Sequence, residues 1–326
     1  MSLITDVRSI EGIKRAWPAR AGIAVELVDR RGRLRAGLAT DAGVAMSLYA
    51  CDPVLGTIPV GEGELVVHRH ARRAVVVADR FVTKHVRKGG ERIACNTAVA
   101  GRIYRSWGLA VADVTDWSST ALTYTRLPGR SLGDLGDEGL DGWKALARAW
   151  QPTRDAALEP HTGAHEARIL ARWAEQARIF DTIGEDPCIT EAVLDVSARL
   201  IEDIDTTHVV SHADLHDGQL LWDGTSLGVI DLDGARMAEP ALDLMNLRAH
   251  AELHHLRGHL SAHSLDVVIG HIDDVASRMP TTRARLEAYL QASRLRLIFV
   301  HSFRPGASSW LGEWMDHALS AHSSTH

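Results

Sequence analysis

The sequence predicts an α+β protein in two lobes, a small β-rich N-terminal lobe with one helix and a larger, mainly helical C-terminal lobe. Three observations carry that expectation. Runs of β-branched and alternating residues crowd the first part of the chain, helical periodicity dominates the rest, and Pro128-Gly129 stands where the composition changes. The lobes are therefore placed at 1–128 and 129–326, and a chain of 326 residues is long enough to bury both cores.

Taken in order, residues 23–37 (IAVELVDRRGRLRAG) read as strand, turn, strand, with Arg-Gly at the reversal. This hairpin lies in an extra segment over 1–55 that is expected to brace the small lobe. The stretch ELVVHRHARRAVVVADRFVTKHVR (64–87) holds three β-rich runs, an antiparallel meander with Lys84 in its third strand. ERIACNTAVAGRIYRSWG (91–108) places Ile93, Ala100, Ile103 and Trp107 on one helical face, and Gly108 stops it. VADVTDWSS and TALTYTRL follow as short strands up to the hinge.

In the second lobe DGWKALARAW, AHEARILARWAEQARIF and CITEAVLDVSARLIEDI are amphipathic helices, the last with Asp186 as N-cap and Pro187 in the first helical position. Trp107, Trp143, Trp150 and Trp173 fall at core spacing. THVVSHA, GQLLWDG and SLGVIDLDG give short strands around polar turns, and the chain from about 240 onward reads as helix again. A site in the cleft between the lobes follows from this layout.

Composition narrows the function. A net charge of -6 argues against a nucleic-acid partner, which would demand concentrated basic surface. No stretch approaches the roughly 18 apolar residues of a membrane helix, and the start lacks a leader pattern, so a cytoplasmic protein without a membrane partner is expected. Cys51, Cys95 and Cys188 form no CxxC pair and are read as reduced and structural.

Three features are candidates for the cleft: Lys84 on its strand, the HADLHDGQ loop (212–219), and the aspartates of VIDLDGA (229–235). Asp214 sits in a short turn between apolar runs, a place from which a carboxylate can accept a hydroxyl proton, and equally a place for a turn aspartate that caps its own backbone. Asp231 and Asp233 emerge where the buried strand LGVI ends and offer hard oxygen ligands of the type magnesium prefers.

Together, HADLHDGQLLWDGTSLGVIDLDGARMAEPALDL resembles the phosphotransferase family of aminoglycoside phosphotransferases, choline kinase and homoserine kinase, whose signature is H-G-D-x-H-x-x-N followed by I-D-x-[DE] and a D-L helix start. The matching positions are His212, Ala213, Asp214, His216 and Gln219, then Asp231, Asp233 and Asp243. VTKHV fits the family's nucleotide lysine and YTRLPGRSL its hinge. The resemblance implies a protein-kinase-like fold and transfer of the ATP γ-phosphoryl group to a hydroxyl of a small polar acceptor such as an aminoglycoside or amino sugar. It implies Asp214 as catalytic base, Asp231 as magnesium ligand with Gln219 and Asp233 beside it, and Lys84 on the α/β-phosphates. The adenine contact falls to the backbone from Thr125 to Leu127.

The chain departs from the family pattern in four places. Gln219 stands for the asparagine, and Ala213 for the glycine. No glycine-rich loop covers the phosphates, so Arg72 or Arg73 at the HARR tip is the expected donor. The lysine-pairing acid falls to Glu91, at the start of its helix, whereas the family places that acid nearer the middle.

Those departures motivate a second reading, a nucleotide-binding protein without turnover. A third rests on AHAELHHLRGHLSAH (249–263), whose histidines at 250 and 254 and at 255, 259 and 263 are spaced for chelation on a helix; a solvated face or a substrate contact is the competing account. Trp310 and Trp314 are candidates to close the acceptor pocket. Glu239, Glu252, Asp273 and Asp274 could attract a cationic acceptor.

Overall fold

The computed structural model describes residues 2–202 and 207–323. Its chain opens with a short helix, α1 (Leu3–Arg8), and four antiparallel strands in sequential order, β1 (Ile13–Ala19), β2 (Gly22–Val28), β3 (Leu34–Thr40) and β4 (Gly43–Met46). The hairpin read from the sequence is β2–β3. The flanking strands escaped notice because β1 contains Pro18 and β4 is short and exposed. A small ribbon of β5 (Cys51–Asp52) and β6 (Gly56–Thr57) follows.

The next part of the chain is built on a five-stranded antiparallel sheet. Its meander is β7 (Glu64–Arg69), β8 (Arg73–Val77) and β9 (Phe81–Val86). After α2 (Gly90–Ser106) and β10 (Ala110–Val111) come β11 (Val114–Trp117) and β12 (Ala121–Thr125), giving the order β11-β12-β9-β8-β7. Lys84 sits in β9 opposite Leu122 of β12 and Val75 of β8, in the middle of the sheet. The buried face of α2 runs through Ala94, Thr97, Ala100, Gly101 and Tyr104, turned from the expected stripe so that Ile93 and Ile103 are only half-buried. Gly108, at φ 87°, ends this segment as predicted.

The hinge crosses close to its neighbours. Gly129 has φ 103°, and a Cβ there would lie 2.7 Å from the carbonyl carbon of Trp222, so no other residue fits without a shift. Beyond it come β13 (Arg130–Ser131), α3 (Leu132–Leu135), α4 (Leu140–Ala149), β14 (Pro160–His161), α5 (Gly163–Ile179) and α6 (Pro187–Ile201). Asp186 caps α6 by accepting the N–H groups of Cys188 and Ile189 at 2.9 and 3.4 Å, with Pro187 at the first position. The tail of that predicted helix, Asp203 and Ile204, lies outside the described residues.

Short strands then carry the polar turns: β15 (Val209–Ser211), β16 (Leu220–Trp222), β17 (Leu227–Val229) and β18 (Arg236–Ala238). β16 and β17 pair with each other, and β17 pairs in parallel with β10, so one small sheet ties the two lobes together. Four helices complete the chain, α7 (Ala241–Leu256), α8 (Ala262–Ser277), α9 (Arg283–Ser302) and α10 (Leu311–Ser323). Trp143, Trp150 and Trp107 are buried in the main core, as their spacing predicts. Among the described residues no helix is long and apolar enough to cross a membrane. The architecture is α+β, with a β-rich N-terminal and a helical C-terminal region.

Candidate active site

The loop after β15 is held from below. His212 is buried, and its Nε2 donates to the Ile230 carbonyl at 2.9 Å. Asp243, in the first turn of α7 and 1% exposed, accepts the backbone N–H groups of His212 at 2.6 Å and Ala213 at 3.0 Å. Asn246, one turn on, donates to the Leu215 carbonyl at 2.7 Å. Ala213 adopts φ 67°, the left-handed region that glycine favours, which explains why the family motif carries glycine there. This turn lifts Asp214 onto the surface, at the lip of a cavity of 680 Å³. Its carboxylate takes no hydrogen bond from the described residues, so it is not the self-capping turn aspartate that the motif alone allowed.

A second cluster forms where β17 ends. Asp231 also lies in the left-handed region, φ 66°, and a 3-10 turn over Leu232–Gly234 brings Asp233 beside it. Lys84 Nζ reaches Asp231 Oδ1 at 2.5 Å and Asp233 Oδ1 at 3.0 Å, and it lies 5.0 Å from the centre of the Tyr124 ring. Tyr124 OH donates to Asp233 Oδ1 at 3.1 Å. Burial pulls the Lys84 pKa down, but the charges of Asp231 and Asp233 and their hydrogen bonds outweigh it and hold it above the ordinary lysine value. Burial likewise raises Asp231, and Lys84, then Arg73, more than offset it, so its carboxyl is held well below the usual range. Asp233 is pushed up, by burial and then by the Asp231 charge.

The donor set fits a hard divalent cation. Asp231 and Asp233 keep 28% and 22% of their side chains exposed, and the Gln219 side-chain oxygen is buried with no hydrogen-bond partner among the described residues. A buried acceptor left bare is costly unless a ligand completes it.

Glu91 does not join this cluster. It lies exposed in the first turn of α2, where a carboxylate suits the helix dipole, and the carboxylate partners of Lys84 are the two aspartates. The middle of α2 contributes Asn96, whose Nδ2 donates to the Asp233 carbonyl at 3.3 Å.

The HARR tip is anchored by Asp52. Asp52 accepts from His68 Nε2 at 3.2 Å and from the Ala71 N–H at 2.8 Å. Around it gather Arg69, Arg72, Arg73 and Arg172, and burial together with those neighbouring charges pushes Arg69 down to about 9. At the hinge, the N–H groups of Thr125 and Arg126 are taken by the carbonyls of Asp113 and Arg80, both at 2.9 Å.

The remaining expectations are redistributed. The histidine run is broken at Gly258, φ 74°, so His255, His259 and His263 do not share a helix face. His250 and His254 do line the cavity. His216, Asp217 and His250 place one potential ligand atom each within 4.8 Å of one another, but His254 Nδ1 and the Gly218 N–H already occupy Asp217 at 2.8 and 3.0 Å. Trp314 is fully buried and donates to the Arg294 carbonyl. Trp310 packs beneath Arg257, while Trp173, expected only in the core, lines the cavity.

The four acids considered for a cationic acceptor all pair with arginines instead. Arg285 grips Glu239 at 2.7 Å and Arg294 grips Glu252 at 2.7 Å, while Arg248 reaches Asp273 at 3.2 Å and Arg278 reaches Asp274 at 3.1 Å.

Residues 96–265, just over half of the chain, match the family model described as the phosphotransferase enzyme family. The chain belongs to that family. Among curated proteins no sequence matches it. Among solved structures it is similar to aminoglycoside phosphotransferase APH(4)-Ia, at 16% identity and TM-score 0.52, covering 80% of this chain and 94% of the other. It is also similar to aminoglycoside phosphotransferase APH(3'')-Id from Streptomyces rimosus, at 18% identity and TM-score 0.51, covering 73% of this chain and 94% of that one. Choline kinase LicA from Streptococcus pneumoniae gives 12% identity and TM-score 0.50, with 81% and 94% covered. At such identities the likeness shows the fold, the protein-kinase-like architecture; the family model supplies the activity class, a small-molecule phosphotransferase.

Proposed function

We propose that this phosphotransferase uses ATP and magnesium to phosphorylate a hydroxyl of a small polar acceptor, with residues 1–128 as the nucleotide lobe and 129–326 as the acceptor lobe. The observation that carries the reading is the placement of an unpartnered Asp214 at the lip of a cavity, on a loop whose next strands deliver Asp231 and Asp233 to Lys84.

Asp214 accepts the proton of the acceptor hydroxyl as that oxygen bonds to the γ-phosphorus and the bond to the β-phosphate oxygen breaks. A positioned base of this type contributes roughly 10²- to 10⁴-fold. Asp231, Asp233 and Gln219 would hold the magnesium ion, which neutralises phosphate charge and orients the triphosphate when bound. Lys84 turns its ammonium to the α- and β-phosphates, and Arg73, whose charge already acts on Asp231, adds side-chain donors in place of a glycine-rich loop. The adenine edge falls to Leu127 and the Thr125 carbonyl side of the hinge, because the neighbouring N–H groups are already bonded within the protein.

Calorimetric titration of ATP with and without magnesium tests this. Saturable binding at one site per chain that requires magnesium, and that is lost in Asp231→Asn, is the expected result; binding indifferent to both would remove the metal assignment.

A further inference from the structure

The cavity beside Asp214 carries positive charge that phosphoryl transfer itself does not use. Arg257, just past α7, lies over the Trp310 ring at 5.1 Å, and Arg304, just past α9, has its Nε buried without a hydrogen-bond partner among the described residues. Both line the same cavity as Asp214. Neither forms an ion pair with a carboxylate among the described residues, whereas Arg248, Arg285 and Arg294 on the neighbouring helices all do.

The surroundings register that excess. Burial, then the charges of Arg15 and Arg257, push Arg304 down to about 10 despite the opposing pull of Glu26. His301 on the same wall is pushed down to about 3, by burial first and then by Arg304 and Arg257. The lining acids, Asp134, Asp214 and Asp217, match the lining arginines in number, but among the described residues none of them pairs with Arg257 or Arg304. Asp217 is taken by His254 at 2.8 Å, Asp134 sits at the rim with Ser131 Oγ at 2.7 Å, and Asp214 is reserved for the hydroxyl. A guanidinium partly removed from water without a counter-charge is unfavourable, and a ligand that brings the counter-charge relieves it.

We propose that Arg257 and Arg304 bind an anionic group, phosphate or carboxylate, on the same small molecule whose hydroxyl is phosphorylated. The class of acceptor is thus a phosphorylated or acidic polyol, not a polycation, for which this wall is repulsive. A cavity of 680 Å³ accommodates a molecule of sugar-phosphate size. The assignment of the hydroxyl rests on the phosphotransferase reading above; the anion site rests on the two arginines alone.

The test is calorimetric titration of inorganic phosphate and, separately, acetate into protein saturated with magnesium and a non-hydrolysable ATP analogue. Wild type, Arg257→Gln, Arg304→Gln and the charge-conserving Arg304→Lys are compared, with folding checked by circular dichroism. We expect one anion per chain, bound at least tenfold more weakly by each glutamine variant and partly restored in the lysine variant. Phosphate favoured over acetate assigns a phosphorylated acceptor, and the reverse a carboxylate.

No anion binding by the wild type, binding by both glutamine variants as tight as by the wild type, or kanamycin bound in place of phosphate would each overturn the proposal. Arg257 is exposed, so its variant keeps the test open should Arg304→Gln fail to fold. If the ATP analogue does not bind, the kinase reading falls, and the same variant comparison in nucleotide-free protein still decides the arginines.

Discussion

At the scale of single residues, the arrangement around Asp214 separates chemistry from support. Asp214→Asn keeps the size and removes the proton acceptor, so turnover should fall by roughly 10²- to 10⁴-fold while ATP titrates as in the wild type. Retained turnover in a steady-state assay would remove Asp214 as the base. Ala213 makes a quieter prediction. Its φ of 67° strains any residue with a Cβ, so Ala213→Gly should hold stability level or raise it by up to about 1 kcal/mol, and Ala213→Val should lower it, both read from denaturant midpoints. Of the candidates, Asp214, Asp231 and Asp233 stand out in the sequence because each sits beside an abrupt change from apolar strand to polar turn, and Lys84 because it interrupts a β-rich run. Arg257 and Arg304 do not. They come from the ends of different helices, and only packing makes them neighbours of the cavity. Glu91 lies exposed in the first turn of α2, and that position, which keeps it from pairing with Lys84, does not show in the sequence, where only its acid chemistry is visible.

At the scale of elements, the helices of the second lobe are locked by buried ion pairs that a hydropathy pattern cannot anticipate. Glu252 of α7 receives two bonds of 2.7 Å from Arg294 of α9, a third from Arg248 on its own helix at 3.3 Å, and a contact from His317 of α10 at 3.3 Å. Periodicity located these helices well because their apolar stripes are long; it was silent on which polar residues would be drawn inside with them. Burial raises the Glu252 carboxyl, but His317 and the arginines more than reverse this and bring it from an ordinary 4.5 to about 2. A depressed carboxylate contributes stability above its unfolded pKa and loses it as pH falls through the folded value. With the side chain 7% exposed, the shift corresponds to about 3 kcal/mol. Glu252→Gln should therefore cost about 3 kcal/mol near neutral pH, and the gap to wild type should close between pH 4.5 and 2 in melting curves. A gap independent of pH would mean that packing, and not the charge, is what the glutamate supplies.

At the scale of the whole molecule, the N-terminal sheet does more than brace the small lobe. Ile23, Val25 and Ala39 of the sheet, with Ile4 and Val7 of α1, pack against Phe303 at the end of α9, with Trp173 and Phe180 alongside. Arg8 donates to the carbonyls of Ser302 at 2.6 Å and Thr182 at 3.0 Å. The same sheet grips the five-stranded sheet through Glu26, fully buried, which accepts from Arg15 Nε at 2.5 Å and from the His68 N–H of β7 at 2.6 Å. One element thus bonds to both lobes on a single side of the cleft, which limits how far they can part and places Arg15 close enough for its charge to reach Arg304. Phe303, fully buried at this junction, is the residue on which the tie converges. Phe303→Ala should cost roughly 3–5 kcal/mol, as large-to-small core changes do. Because the lost contacts are between lobes, calorimetry should also turn one cooperative unfolding transition into two. A single, merely shifted transition in the variant would show that β10–β17 pairing and the bonds of Lys84, Asn96 and Tyr124 to Asp231 and Asp233 suffice to couple the lobes, and that the sheet is a passenger on the C-terminal lobe.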